Sequence, residues 1–252
     1  MNMTAGSVLM MATFGMEIVE CGGALALHAQ SGAQVTAAVA MAREEAKPQI
    51  EKAAQILGVQ EVSFLGWSYG TVDLSRDSKL KIVELIRRVR PSIFICQDPE
   101  HVQHDLDPDR RTFMLLYLES LALAGRDWEV AAAGGYEPHS VHNIYFMTPE
   151  HPNCVIEISP VIQLKEEAMA QLTFQLSFSG KGYRERHEPD LLRRLIPDYE
   201  QVKHDDTALG SAMHRQTDRA LALYHGLGGH SGAVLGEAYR RMGVFVMNAL
   251  PG

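Results

Sequence analysis

The run HVQHDLDPDRR, residues 101 to 111, is the densest polar stretch in the chain. His101, His104, Asp105 and Asp107 are each able to ligate zinc or iron, since imidazole and carboxylate together suit those ions. The run reads as a loop, and spacing along a loop does not fix convergence in space, so a polar, partly cationic pocket containing Arg110 stands as the other reading. Glu17 follows a strand-like run and becomes a general base if burial raises its pKa; otherwise it is a carboxylate favoured by the dipole of the adjoining helix. Arg43, ahead of Glu44 and Glu45, has the planar fork to hold a carboxylate substrate, with a solvated charge cluster as the competing reading. Trp67 and Tyr69 either wall a pocket or are half-buried loop aromatics.

The remaining candidates carry less. His28 falls in a helical pattern and reads as a packed or surface residue, His139 and His142 could reach a pocket rim, and His225 and His230 flank the GLGG run at 226–229. That glycine run is only loosely like a phosphate loop and follows no clear strand, so it reads as a flexible helix connection. No Ser or Cys nucleophile with its base can be assembled, and Cys21 reads as structural for want of an electropositive neighbour.

The elements that must position these groups are legible in the apolar pattern. SVLMMAT at 7–13, QVTAAVA at 34–40, VSFLG at 62–66 and SIFIC at 92–96 are short apolar runs followed by turn residues, the signature of buried parallel strands. Helical patterns at 21–31, 48–57 and 78–90 separate them, and the order βαβαβαβ implies right-handed crossovers. A further helix starts at Pro108 and stops near Gly125. Beyond it the pattern predicts strands at 143–148 and 154–159, a helix from 161 to about 174, an exposed loop over GKGYRERHEPD at 180–190, and helices at 209–224 and 231–241. The expected architecture is an α/β three-layer αβα sandwich with a mostly parallel, Rossmann-like sheet, one domain over 1–252 in which 126–252 completes the pocket of the 1–125 half. Ligands of such sheets bind beyond the carboxyl ends of the strands, which selects 13–20, 41–47, 66–73 and 97–111.

Composition narrows the partner. With 252 residues and 46% hydrophobic content the chain can bury a sizeable core, and a net charge of -8 argues against phosphate-backbone binding. Three widely spaced cysteines fit a reduced, cytoplasmic compartment, and Glu17 and Glu20 break the apolar N-terminal run, so no spanning helix is expected. A small-molecule substrate, with neither nucleic acid nor membrane, is the expectation.

The order of several landmarks resembles the LmbE-like or PIG-L deacetylase superfamily: ATFGME with CGG at residues 12 to 23, AQILGV, FLG, RPSIFICQDP, PDRRT, VIEISPVIQLKEEAM and the late GEAYRRMG. In that family a motif of the form AHPDDE supplies a histidine and an aspartate to zinc and a second aspartate as general base. The register here puts Thr13 and Met16 at the ligand positions and Gly15 at the base position. A second family motif, HPDHR, corresponds to Asp107, Pro108, Asp109, Arg110 and Arg111, so the ligating histidine has become the Arg110 guanidinium, which cannot bind a cation. A later family histidine falls near Leu172. GGALALH at 22–28 and REEA at 43–46 also look like 4-oxalomesaconate hydratase, a member that adds water to a carbon–carbon double bond.

The resemblance implies a hydrolase or hydratase, and the substitutions imply one working without the family's zinc, with no metal ligands and no cofactor. In this reading Glu17, Asp109 and His104 are catalytic, and Thr13, Arg43, Trp67, Asp107 and Arg110 bind a small anionic metabolite. The alternatives are a non-catalytic binding or assembly homologue, and a zinc-dependent N-deacetylase with displaced ligands. A homo-oligomer is implied by the family alone.

Overall fold

The computed structural model describes residues 6–227 and 234–244. Seven strands form one sheet: β1 (Ser7–Ala12), β2 (Gln34–Val39), β3 (Glu61–Phe64), β4 (Ile93–Gln97), β5 (Asn143–Met147), β6 (Cys154–Glu157) and β7 (Gly236–Arg241). Their order is β3-β2-β1-β4-β5-β7-β6, and β7 runs against its two neighbours while the other pairings are parallel. β1 pairs with both β2 and β4, so the strand order reverses there and a crevice opens beyond the ends of β1 and β4.

Alternation along β1 explains the layers. Val8, Met10 and Ala12 join a core with α2 (Gly22–Gln30), α3 (Lys47–Ile56) and α6 (Ile162–Met169), while Leu9 and Met11 join a second core with α4 (Arg76–Val89) and α5 (Pro108–Ala124). Both faces of the strand are apolar because both are covered. The short α1 (Met16–Glu20) follows β1 directly, and α7 (Thr173–Arg186), α8 (Pro189–Leu195), α9 (Tyr199–Val202) and α10 (Asp206–Gly226) complete the chain before β7. Asp98, fully buried after β4, is gripped by Arg240 Nε at 2.7 Å and Nη2 at 2.6 Å, a two-pronged bond that fastens β7 to the parallel strands.

Three expectations are corrected. The helix expected over 231–241 is strand β7 from Gly236 onward, and its first residues lie outside the described ones. GEAYRR has helical propensity, but it fills the slot between β5 and β6, and the ladder decides. The expected helix from 161 to 174 is two helices, α6 and α7, with a turn between them. The expected loop at 180–190 instead continues α7 through Arg186. Its glycine serves packing: α7 and α10 cross so closely that a Cβ on Gly180 or Gly210 would strike the other helix's backbone.

Candidate functional site at the strand ends

The bend after β1 depends on Gly15. Its φ of 99° is left-handed, and a Cβ there would sit 2.6 Å from Ile50 Cδ1, so backbone geometry and packing both call for glycine. The bend starts α1 and turns Glu17 inward, where the carboxylate is buried and accepts hydrogen bonds from Phe14 N–H at 3.2 and 3.3 Å. From the other side, Asp107 caps α5, its Oδ1 accepting from Asp109 N–H at 2.9 Å and Arg110 N–H at 3.4 Å, with Pro108 in the first turn.

That cap aims Arg110 at the crevice. Its Nη1 donates to Gln97 Oε1 at 2.8 Å and pairs with Glu17 Oε1 at 3.1 Å, while its Nε pairs with Asp105 Oδ2 at 3.2 Å. The guanidinium lies 4.9 Å from the centroid of Phe14, which stacks on Tyr69 at 5.6 Å. Arg111 donates to the Asp105 carbonyl, and Asp109, buried, accepts from Gly70 N–H at 2.8 Å, which moors the loop carrying Trp67 and Tyr69. Next to this shelf is a cavity of about 420 Å³ walled by Arg43, Glu44, Glu45, Trp67 and Tyr69. Arg43 rests 5.4 Å from the centroid of Phe174 and has no carboxylate partner among the described residues.

No family model matches the chain. A diacetylchitobiose deacetylase of Thermococcus kodakarensis is 30% identical over 124 residues, 47% of this chain and 45% of that protein, so the chain matches a little under half the length of this relative. Among solved structures, a conserved protein of Thermus thermophilus superposes with TM-score 0.72 at 19% identity, covering 98% of this chain and 100% of that one. The N,N'-diacetylchitobiose deacetylase of Pyrococcus horikoshii gives 0.66 at 19% identity over 94% and 84% of the two chains. The chain has the LmbE-like, PIG-L-type fold. The hydratase likeness is present too: the 4-carboxy-2-hydroxymuconate hydratase of Pseudomonas putida gives TM-score 0.66 at 18% identity, over 98% and 100% of the chains. Among the described residues no helix is long and apolar enough to cross a membrane.

Within this LmbE-like frame the sequence candidates separate. Glu17 and Asp105 meet at the Arg110 guanidinium, Asp107 holds the Arg110 backbone N–H, and Arg43 and Trp67 share the adjoining cavity. Asp109 is turned to the loop and Asp107 to the helix end, so both carry structural bonds. Thr13 is 1% exposed and its hydroxyl has no partner among the described residues, which places it beneath the site surface. His104 is exposed and makes none of these contacts, and His101 pairs instead with Glu150 at 2.9 Å. His139 bonds the Pro91 carbonyl at 2.8 Å. His230 lies outside the described residues.

The positions that the resemblance assigns to zinc do not suit it. A buried hydroxyl, a thioether and a guanidinium are poor partners for a cation that prefers imidazole, thiolate and carboxylate. Arg110, moreover, is already paired with both Glu17 and Asp105. Among the described residues no three His, Cys, Asp or Glu side chains converge as a metal-holding group.

Sequence reasoning missed a second charged region on the other side of α1. Glu237 accepts from Gly23 and Ala24 N–H, each at 3.0 Å, and from the Tyr239 hydroxyl at 2.5 Å, so it anchors the start of α2. Lys165 donates to Glu237 Oε2 at 2.8 Å and to the Glu20 carbonyl at 2.5 Å. Burial alone would push the Lys165 ammonium down, but the Glu237 carboxylate outweighs it and the pKa is raised. Burial pushes the Cys21 thiol well up, as befits a packed, inert cysteine. The one sequence signal was a charge inside an apolar pattern, Lys165 in VIQLKEEAM and Glu237 in GEAYRR; what they bond to was unreadable, since 72 residues separate them.

Proposed function

We propose that this chain is a divergent enzyme of the LmbE-like fold, a hydrolase or hydratase of a small anionic metabolite, in which a fixed guanidinium stands where relatives hold zinc. The observation that carries the reading is Arg110, held over the crevice by Glu17, Gln97 and Asp105 beside the Arg43–Trp67–Tyr69 cavity. Its Nη2 makes no hydrogen bond among the described residues and so has N–H groups to offer a substrate oxygen. Because two carboxylates already offset its charge, Arg110 suits a carbonyl oxygen that gains charge during reaction rather than a free anion. The anionic end of the substrate falls to Arg43, and Glu17 is the carboxylate placed to exchange a proton with a water bound at Arg110.

The relatives' names supply the substrates to try: N-acetylated amino sugars such as diacetylchitobiose, and unsaturated hydroxy-dicarboxylates such as 4-carboxy-2-hydroxymuconate. Protein purified without added zinc should turn over a member of this panel at a rate that a chelator leaves unchanged. Arg110→Gln should lower kcat by about 100-fold, in the range of losing one oxyanion donor, and Arg43→Ala should mainly raise KM. Activity that appears only with stoichiometric zinc would overturn the reading. A second reading, a non-catalytic binding homologue, is favoured by one fact: Asp109 and Glu17 are both tied up in internal bonds. Saturable binding of a panel member that depends on Arg43, without turnover under any metal condition, would establish it instead.

A further inference from the structure

α7 and α10 lie so close at Gly180 and Gly210 that side chains beside the crossing meet directly. Ser179, next to Gly180, and His214, one turn past Gly210, are such a pair: Ser179 Oγ is 3.1 Å from His214 Nε2. Thirty-five residues separate them, so no pattern along the chain shows a serine with its base. Ser179 also lines a cavity of about 360 Å³ with Phe178, Tyr183, Arg186 and His187. Tyr183, one turn further along α7, sets its ring edge-on to His214 at 6.3 Å, and its hydroxyl makes no hydrogen bond among the described residues. We propose that these residues form a second reactive site, at which the Ser179 hydroxyl takes the acyl group of a short-chain carboxylic ester, with His214 as base and Tyr183 as donor to the carbonyl oxygen. This site is separate from the Arg110 crevice and does not depend on the function proposed there.

The surroundings suit that chemistry. A serine inside a helix ordinarily turns its hydroxyl back to the carbonyl one turn earlier, whereas Ser179 bonds an imidazole and opens on a cavity. Burial shifts His214 down although the charge of Asp218, one turn on along α10, opposes it, so the ring is neutral near pH 7 and able to accept a proton. Burial and Asp218 both raise Tyr183, which therefore keeps its proton and remains a donor. With the ring proton on Nδ1, His214 Nε2 takes the Ser179 proton as Oγ bonds to the acyl carbon, and the alcohol leaves with that proton as its C–O bond breaks. Water then attacks the acyl-serine and gives a proton to His214, which returns it to Ser179 Oγ as the carboxylic acid departs. Phe178, 75% exposed at the same wall, offers an apolar surface to the alkyl part of the ester.

The test is labelling of the full chain with phenylmethanesulfonyl fluoride, which sulfonylates an activated serine and expels fluoride, followed by peptide mass mapping. The sulfonyl group should appear on Ser179, and the labelled protein should lose its release of p-nitrophenolate from p-nitrophenyl acetate. His214→Gln should slow both reactions by about 100-fold, the usual worth of a general base, and Ser179→Ala should abolish them while unfolding stays cooperative. Tyr183→Phe keeps the ring and its packing, so a fall of about 100-fold in kcat with KM little changed would mark the hydroxyl as the oxygen's donor. If neither variant at 179 or 214 folds, the map of the wild-type chain still decides. Ser179 left unlabelled after prolonged exposure to millimolar reagent, label carried only by other residues, or a folded His214→Gln labelled at the wild-type rate would each overturn the proposal.

Discussion

Glu17 and Glu20 stand one turn apart on α1, close enough to feel each other's charge, yet they meet opposite surroundings. Glu17 faces a guanidinium already shared with Asp105 and Gln97. Glu20 lines a cavity and has no ion pair of its own among the described residues; the charges of Arg110 and Lys165 reach it without cancelling the effect of burial. A buried carboxylate is tolerable when a cation and hydrogen-bond donors replace its lost water; without them it keeps its proton. The same short helix thus carries one acid answered by an ion pair and one whose burial is only partly offset by the charges near it.

The contrast is broken most forcefully by removing Arg110. Arg110→Ala should cost roughly 2–4 kcal/mol in denaturant unfolding, because Glu17 is left buried and Asp105 loses its partner. The double variant Glu17→Gln, Arg110→Met should recover most of that loss; an equal loss in both would mean that packing, not pairing, is at stake. On the other side the sign reverses. The folded chain holds the Glu20 proton up to about pH 7 while the unfolded chain releases it near 4.5, so wild-type stability falls as pH rises through that window. Glu20→Gln should therefore be more stable than wild type above pH 7, by roughly 1–3 kcal/mol, and equal to it below about 4.5, as seen in unfolding curves across pH. A stability difference that does not change with pH would remove the distinction between the two acids. The smallest effect concerns the cap that aims Arg110. Asp107→Ala should cost about 1 kcal/mol and Asp107→Ser much less, since serine caps a helix nearly as well.

Legibility followed range in sequence. The strand–helix alternation through Ala124, the start of α5 at Pro108 and the candidate segments beyond β1 to β4 were readable because propensity, period and capping are local signals. The motif register singled out Arg110, but not its partners. Gln97 carried no motif, and Asp105 was one of several carboxylates in a loop. Asp107 was a candidate for its ligand chemistry and Asp109 for its place in the motif register; in the structure they cap a helix and anchor a loop. The C-terminal third misled for a physical reason: the polar run at 180–190 pointed to an exposed loop although Gly180 marks close helix contact, and 231–241 pointed to a helix although the neighbours of GEAYRR in the sheet decide.

What the sequence determined by itself was the layered α/β frame and the chemistry of the side chains Thr13, Met16 and Arg110, which are poor partners for a cation, because apolar period and residue chemistry are properties of the chain as written. Only the tertiary structure decided which charges are answered. Arg110 meets Glu17 across 93 residues and Lys165 meets Glu237 across 72, whereas Glu20, a turn from one pair and bonded through its carbonyl to the other, is left facing a cavity. Electrostatic energy depends on distance and burial in space, and neither is fixed by separation along the chain.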